Sequence, residues 1–179
     1  MVHLDRITTR TGDDGSTALG DGRRLPKDDI LVQALGAVDE ANAVFGCLRQ
    51  VVDGVEADLI LALQQELFDL GADLCCPPGS PVGAMVHRLG KAEITAMEDR
   101  IAAANAGVAA MTSFVLPGGT AAAAWGHAAR RGDPAINSAC LQYLNRLSDL
   151  CFIHARRANG ADEVLWIPAS RRQRTPPAI

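Results

Sequence analysis

The sequence predicts an all-α fold, a bundle of five helices, on three observations. Aromatic residues make up only 4% of the chain while alanine and leucine are abundant, a balance that favours packed helices over a pleated sheet. Long windows carry apolar residues at helical spacing. Glycine- and proline-rich breaks separate those windows, and no convincing strand pattern competes with them. The 179 residues suit a single domain spanning 1–179, without repeat or linker, and long enough to bury a core unaided.

Residues 5–27 read as an extended loop that holds Gly12, Gly15, Gly20 and Gly22 and ends near Pro26. Asp28 and Asp29 offer an N-cap and a favourable charge for a helix start. That helix runs from Ile30 to about Val52, with Val32, Leu35, Val38, Phe45 and Leu48 on one face and Asn42 as the polar exception. Gly54 punctuates. A second helix, about 55–75, places Leu59, Leu63, Leu67, Leu70 and Leu74 on one stripe. Pro77, Pro78, Gly79, Pro81 and Gly83 make 77–86 a loop. A third helix covers about 91–106, and Pro117-Gly118-Gly119 then turns the chain. An Ala-rich helix follows from Thr120 to about Arg131, broken by Gly132-Asp133-Pro134. The last helix spans roughly 135–159, with Leu141, Leu144, Leu147, Leu150 and Ile153 at spacings of three. Val164 to Ile167 suits a short strand, and 171–179 reads as a disordered tail.

Composition narrows the function. A net charge of −4 argues against gripping nucleic acid by the overall field. No apolar run reaches the roughly 18–20 residues of a bilayer span, so no membrane partner is expected. Met1–Arg10 has no apolar signal-peptide stretch. Cys47, Cys75, Cys76, Cys140 and Cys151 are odd in number and include no CxxC pair. Neither a disulfide framework nor a zinc site is suggested, and a reducing, cytoplasmic compartment is expected. His3, His87, His127 and His154 are scattered, so no metal site is expected.

Four constellations could carry chemistry. In Thr9-Arg10-Thr11-Gly12-Asp13-Asp14-Gly15-Ser16-Thr17, two glycines let the backbone turn and bring N–H groups close to an anion. Four hydroxyls and the planar Arg10 can donate to phosphate oxygens, and Lys27 follows a short distance on. No GxxxxGK[ST] occurs, so this is no Walker A loop; an ordinary polar turn has the same composition. Asp39, beside the apolar stripe of the first helix, is either a solvated carboxylate or a buried one paired with an arginine. Phe114 leads into the Pro117-Gly118-Gly119 turn; taken alone it reads as a core residue, while the helix start beyond the turn could attract an anion. In Tyr143-Leu144-Asn145-Arg146-Leu147-Ser148-Asp149, Arg146 and Asp149 are spaced as an i,i+3 ion pair. Asn145, a poor helix former, suggests a hydrogen-bonding role.

In this order the segments resemble the PduO-type ATP:cob(I)alamin adenosyltransferases. Thr9–Thr17, Asp21-Gly22-Arg23, Lys27-Asp28 and Gly36-x-Val38-Asp39-Glu40-x-Asn42 resemble the family's N-terminal signature. Leu67–Leu74, Phe114–Gly119 with His127-x-Ala129-Arg130, Tyr143–Asp149, Ala155-Arg156, Ala158-Asn159 and Leu165-Trp166 continue it over nearly the whole chain.

The resemblance implies a five-helix bundle with ferritin-like up-down packing, assembled as a homotrimer with active sites between subunits. It implies that Thr9–Thr17 within the 5–27 loop, with Lys27, binds the triphosphate of ATP. Asn145 also contacts the nucleotide, Arg88 lies next to it, and the phosphates hold Mg²⁺. Asp39 anchors an arginine across the interface. Phe114 pushes the lower ligand off cobalt, and a cob(II)alamin reductase is a potential partner. The implied reaction transfers the 5′-deoxyadenosyl group of ATP to cob(I)alamin. One departure matters. The family continues the fourth helix for several turns with an RRAER motif, whose arginines clamp phosphate and pair with the aspartate at Asp39. Here Arg131 is followed at once by Gly132-Asp133-Pro134, leaving Arg130 and Arg131 as partial substitutes. The gap keeps open a degenerate relative that binds ATP or corrinoid as a carrier or regulator. Leu31 stands where the family tends to have arginine, and Gly126 suits a helix poorly.

Overall fold

The computed structural model describes residues 8–76, 79, 82–129, 138–160 and 164–165. Arg130, Arg131, the 166–167 part of the expected strand and the expected disordered tail at 171–179 lie outside the described residues.

Five helices dominate: α1 (Ile30–Arg49), α2 (Gly54–Cys75), α3 (Lys91–Asn105), α4 (Ala121–Ala129) and α5 (Ser138–Asn159). α1 packs on α2 and α4, and α5 packs on α3 and α4. Phe45, Leu67, Leu70, Met97, Tyr143 and Leu150 are the largest fully buried side chains around which they close. Asp29 caps α1 by accepting from Leu31 N at 2.9 Å. α1 ends at Arg49 rather than near Val52, because Gln50 N and Val51 N bond to Cys47 O and Leu48 O in a tightened last turn. Asn42, the polar exception, donates to Gln64 O while Gln64 donates to Asn42 O, both at 3.2 Å. This reciprocal pair stitches α1 to α2.

Two expectations change. The N-terminal loop contains a small antiparallel hairpin, β1 (Ser16–Ala18) and β2 (Arg24–Pro26), with Thr17 opposite Leu25. Strands of three residues leave too little alternation to read from sequence. On α5, Leu141 is exposed, while Leu147, Leu150 and Ile153 of the expected run share the core with Cys140, Tyr143 and Cys151. Steps of three drift about 60° per step around a helix of 3.6 residues per turn, so the run leaves the core at its Leu141 end. By length and composition alone α1 could also cross a membrane. Its Val38, Phe45 and Leu48 are core positions of the bundle, and a buried core helix has the same apolar character.

Two sequence anomalies find a physical reason. A Cβ at Gly126 would lie 3.2 Å from Ala155 Cβ, so glycine lets α4 and α5 approach closely. Leu31 packs against the core as a half-buried residue.

Candidate active site

The hairpin holds the hydroxyl-rich loop. Lys27 N donates to Gly15 O at 2.9 Å, closing the loop onto the strand that leaves it. Asp13 N bonds to Arg10 O at 3.3 Å and Gly15 N to Gly12 O at 3.2 Å. Arg10 sits at φ 60°, the only non-glycine residue with positive φ among the described residues. That conformation costs an L-residue about 1–2 kcal/mol and marks a position the surroundings over-determine. The Thr9 and Thr11 hydroxyls lie 2.9 Å apart. A Cβ at Gly12 would stand 3.1 Å from Lys27 Nζ, so the ammonium lies against the loop, in the space a side chain would fill.

Arg24, which sequence reasoning missed, organises this loop. It donates to Thr11 O at 2.6 Å and through Nε to Ser16 Oγ at 3.0 Å, and reaches Asp14 at 3.4 Å. Only the hairpin register brings it there, and that register was not legible. Asp14 accepts from Ser16 N at 2.9 Å and from its hydroxyl at 2.8 Å. Those bonds, and then Arg24, hold its carboxyl below the usual range. Ser16 is therefore engaged in shaping the loop. Thr9, Arg10, Thr11, Asp13 and Asp14 are exposed, while Gly12 and Thr17 are half-buried. The exposed Thr9 and Thr11, with Arg10 and Lys27, together suit a polyanion.

Phe114 is 76% exposed, not core. Its segment is fixed from behind. Leu116 N bonds to Val164 O at 2.8 Å and Val115 bridges to Leu165, so Val164 and Leu165, the described part of the expected strand, both hold this segment. Gly118 and Gly119 take φ 141° and 101°. Buried Asn159 donates to Gly118 O at 2.9 Å and accepts from Thr120 N at 3.0 Å. A Cβ at Gly119 would lie 1.9 Å from Asn159 Oδ1, so only glycine fits. Arg156, also buried, donates to Ala109 O at 2.9 Å. Two residues at the end of α5 thus brace both ends of the segment that presents Phe114. Both stood in the matched motifs without a role, and nothing in their local sequence announced one.

The remaining candidates are dispersed. Asp39 is exposed on α1, and Asn145 and Asp149 are exposed on α5. Arg146 pairs with Glu98 of α3 at 2.9 Å instead of Asp149. The close α3–α5 packing supplies a partner that i,i+3 spacing cannot reveal. Arg88 turns inward: it pairs with buried Asp73 at 2.5 Å and donates to Gly83 O at 3.0 Å. Asp73 also accepts from Leu89 N at 3.0 Å, so this cluster fastens the chain entering α3. Among the described residues no group of three His, Cys, Asp or Glu is gathered to hold a metal ion.

The family model described as cobalamin adenosyltransferase matches residues 7–132. A corrinoid adenosyltransferase of Mycobacterium tuberculosis is 40% identical, covering 96% of this chain and 97% of the relative. That alignment spans 188 positions, more than the 179 residues here, so the relative carries residues this chain lacks. A cobalamin adenosyltransferase of Cupriavidus metallidurans is also 40% identical, over 91% of this chain and 95% of its own. Among solved structures, a Phe→Ala variant of a PduO-type ATP:corrinoid adenosyltransferase from Lactobacillus reuteri, complexed with cobalamin and ATP, superposes with a TM-score of 0.78. It is 30% identical and covers 90% of this chain and 99% of its own. An Arg→Lys variant complexed with ATP gives 0.77 at 31% identity, covering 90% of this chain and 100% of its own.

Proposed function

The chain belongs to the cobalamin adenosyltransferase family, and from that membership we propose that it transfers the 5′-deoxyadenosyl group of ATP to cob(I)alamin. The products are adenosylcobalamin and triphosphate. The cobalt(I) electron pair attacks C5′, the cobalt–carbon bond forms as the C5′–oxygen bond breaks, and the oxygen leaves with the triphosphate. No general base is needed. The protein positions two substrates and stabilises the charge growing on the leaving group.

In this reading the loop Thr9–Thr17 receives the triphosphate, with Lys27 and Arg10 as cations and Arg24 as the residue that shapes it. Mg²⁺ would be held mainly by the phosphates, where it would offset repulsion from the exposed carboxylates of Asp13 and Asp14. Asn145 contacts the nucleotide and Arg130 and Arg131 assist. Phe114 meets the corrinoid and excludes its lower ligand, which makes cob(II)alamin easier to reduce. The observation that carries this is a large apolar side chain held 76% exposed on a braced segment, where burial would gain about 1.5–3 kcal/mol. Most of the loop, Phe114 and Asp39 are exposed, which supports a homotrimer of single-domain chains with sites completed between subunits. The cytoplasm and a cob(II)alamin reductase partner complete the proposal.

The test is anaerobic formation of adenosylcobalamin from ATP, Mg²⁺ and reduced cob(I)alamin, with Phe114→Ala compared from cob(II)alamin. The expected result is catalysed product, and a Phe114→Ala defect largest when cob(II)alamin is the start. A carrier or regulator is the second reading, favoured by the missing RRAER turns; ATP binding without any product would select it.

A further inference from the structure

Cys75 and Cys76 close the C-terminal end of α2 with their sulfurs 3.7 Å apart. Cys75 is half-buried and Cys76 buried. Both sulfurs press on the turn of the β1–β2 hairpin. A Cβ at Gly20 would lie 2.5 Å from Cys76 Sγ and 3.0 Å from Cys75 Sγ. That turn is tight, with Leu19 N on Arg23 O at 2.7 Å and Gly22 N on Leu19 O at 3.0 Å. Leu19 is buried, so the turn is seated on the bundle. At its other end the hairpin joins the candidate triphosphate loop through Ser16 opposite Pro26 and Lys27 N on Gly15 O. Two thiols, one glycine and one short hairpin therefore form a continuous mechanical path.

We propose that Cys75 and Cys76 are a redox-modification site, a vicinal dithiol that a hydroperoxide converts to an intramolecular disulfide, with the change passed through Gly20 to the Thr9–Thr17 loop. The Cys75 thiolate attacks the peroxide, giving a sulfenic acid and releasing hydroxide or alkoxide. Cys76 sulfur then displaces the sulfenic oxygen, its proton leaving with that oxygen as water. Both sulfurs are oxidised and the peroxide is reduced. A dithiol reductant reverses the step by exchange. Cys75 is the first to react because it alone of the two reaches solvent. Burial, then the Cys75 thiol beside it and the Asp21 carboxylate, push the Cys76 thiol up, which suits a resolving group. Adjacent Cα atoms stand about 3.8 Å apart, less than the roughly 4.4–6.8 Å usual across a disulfide. The backbone at the end of α2 must therefore rearrange, directly beneath a hairpin turn that sits there only because Gly20 has no Cβ.

The effect on ATP rests on the proposed function; the effect on the hairpin does not. The experiment treats Cys47→Ser protein, which lacks the exposed thiol, with hydrogen peroxide. Intact mass, hydrogen exchange of amides 16–25 and ATP binding are followed. The expected mass falls by about 2 Da, mapped to Cys75–Cys76, and is restored by dithiothreitol. Exchange across 16–25 quickens, and ATP affinity falls roughly tenfold. In Cys76→Ser the loss of mass disappears. Oxidation that ends in added oxygen without the Cys75–Cys76 bond overturns the proposal, as does a bond that leaves hairpin exchange unchanged. A reduced protein that never binds ATP sinks the triphosphate reading, while hairpin exchange still decides this one.

Discussion

Asn159 commits its whole side-chain amide to one turn, and the turn holds Phe114. Asn159→Ala leaves Gly118 O and Thr120 N without partners in a part-buried place. The expected cost is about 1–3 kcal/mol in denaturant unfolding, together with reduced adenosyl transfer. Phe114→Ala is the opposite case. With 76% of the residue exposed, stability should stay within about 0.5 kcal/mol while the reaction from cob(II)alamin suffers. A third residue links to pH. Burial, then Arg157, lower the His154 pKa below its ordinary 6.5, with Glu56 opposing. The folded state therefore favours neutral His154, and its contribution is present above the unfolded value. That contribution is lost as pH falls from 6.5 toward the depressed folded value. Melting temperature should drop across that range, and His154→Gln should flatten the drop. None of these environments was legible from single residues. Phe114 read as core because apolar side chains usually are, and only the bracing at Asn159 and Arg156 explains why this one stays out.

Among elements, one polar cluster joins α2, α3 and α5. Arg100 donates both η nitrogens to Glu66 at 2.7 and 2.8 Å, and fully buried Tyr143 donates to the same carboxylate at 2.5 Å. Burial alone would raise the Glu66 pKa; the bonds from Arg100 and Tyr143 outweigh it and lower it below 4.5. A depressed carboxyl stabilises the fold above its unfolded value, so this contribution is lost as pH falls below 4.5 through the folded value. Tyr143→Phe should cost about 1.5–3 kcal/mol in a urea titration, with the acid-induced loss shifted toward higher pH. The helices were legible because caps, breaks and periodic stripes agreed: Asp29 caps α1, and Leu63, Leu67, Leu70 and Leu74 are all buried on α2. The hairpin was not, since its register depends on loop bonds that no short pattern encodes. Cross-helix partners such as Glu98 for Arg146 depend on packing and were equally invisible.

For the whole molecule, the candidate phosphate loop was legible as a cluster of hydroxyls, glycines and cations, but the completed site was not. Its proposed parts occupy the loop at the hairpin, the segment before α4 and the exposed face of α5, elements far apart in the sequence. A trimer predicts a sedimentation mass about three times the 18.8 kDa chain; a monomeric value would contradict sites shared between subunits. The central claim is tested most directly by mixing the protein with ATP, Mg²⁺ and chemically reduced cob(I)alamin without oxygen and following adenosylcobalamin. Product formed well above the protein-free rate, and lost in Lys27→Ala, is the expected result. ATP binding with no product above that background would contradict the enzyme reading and leave a nucleotide-binding relative that lacks the arginine turns.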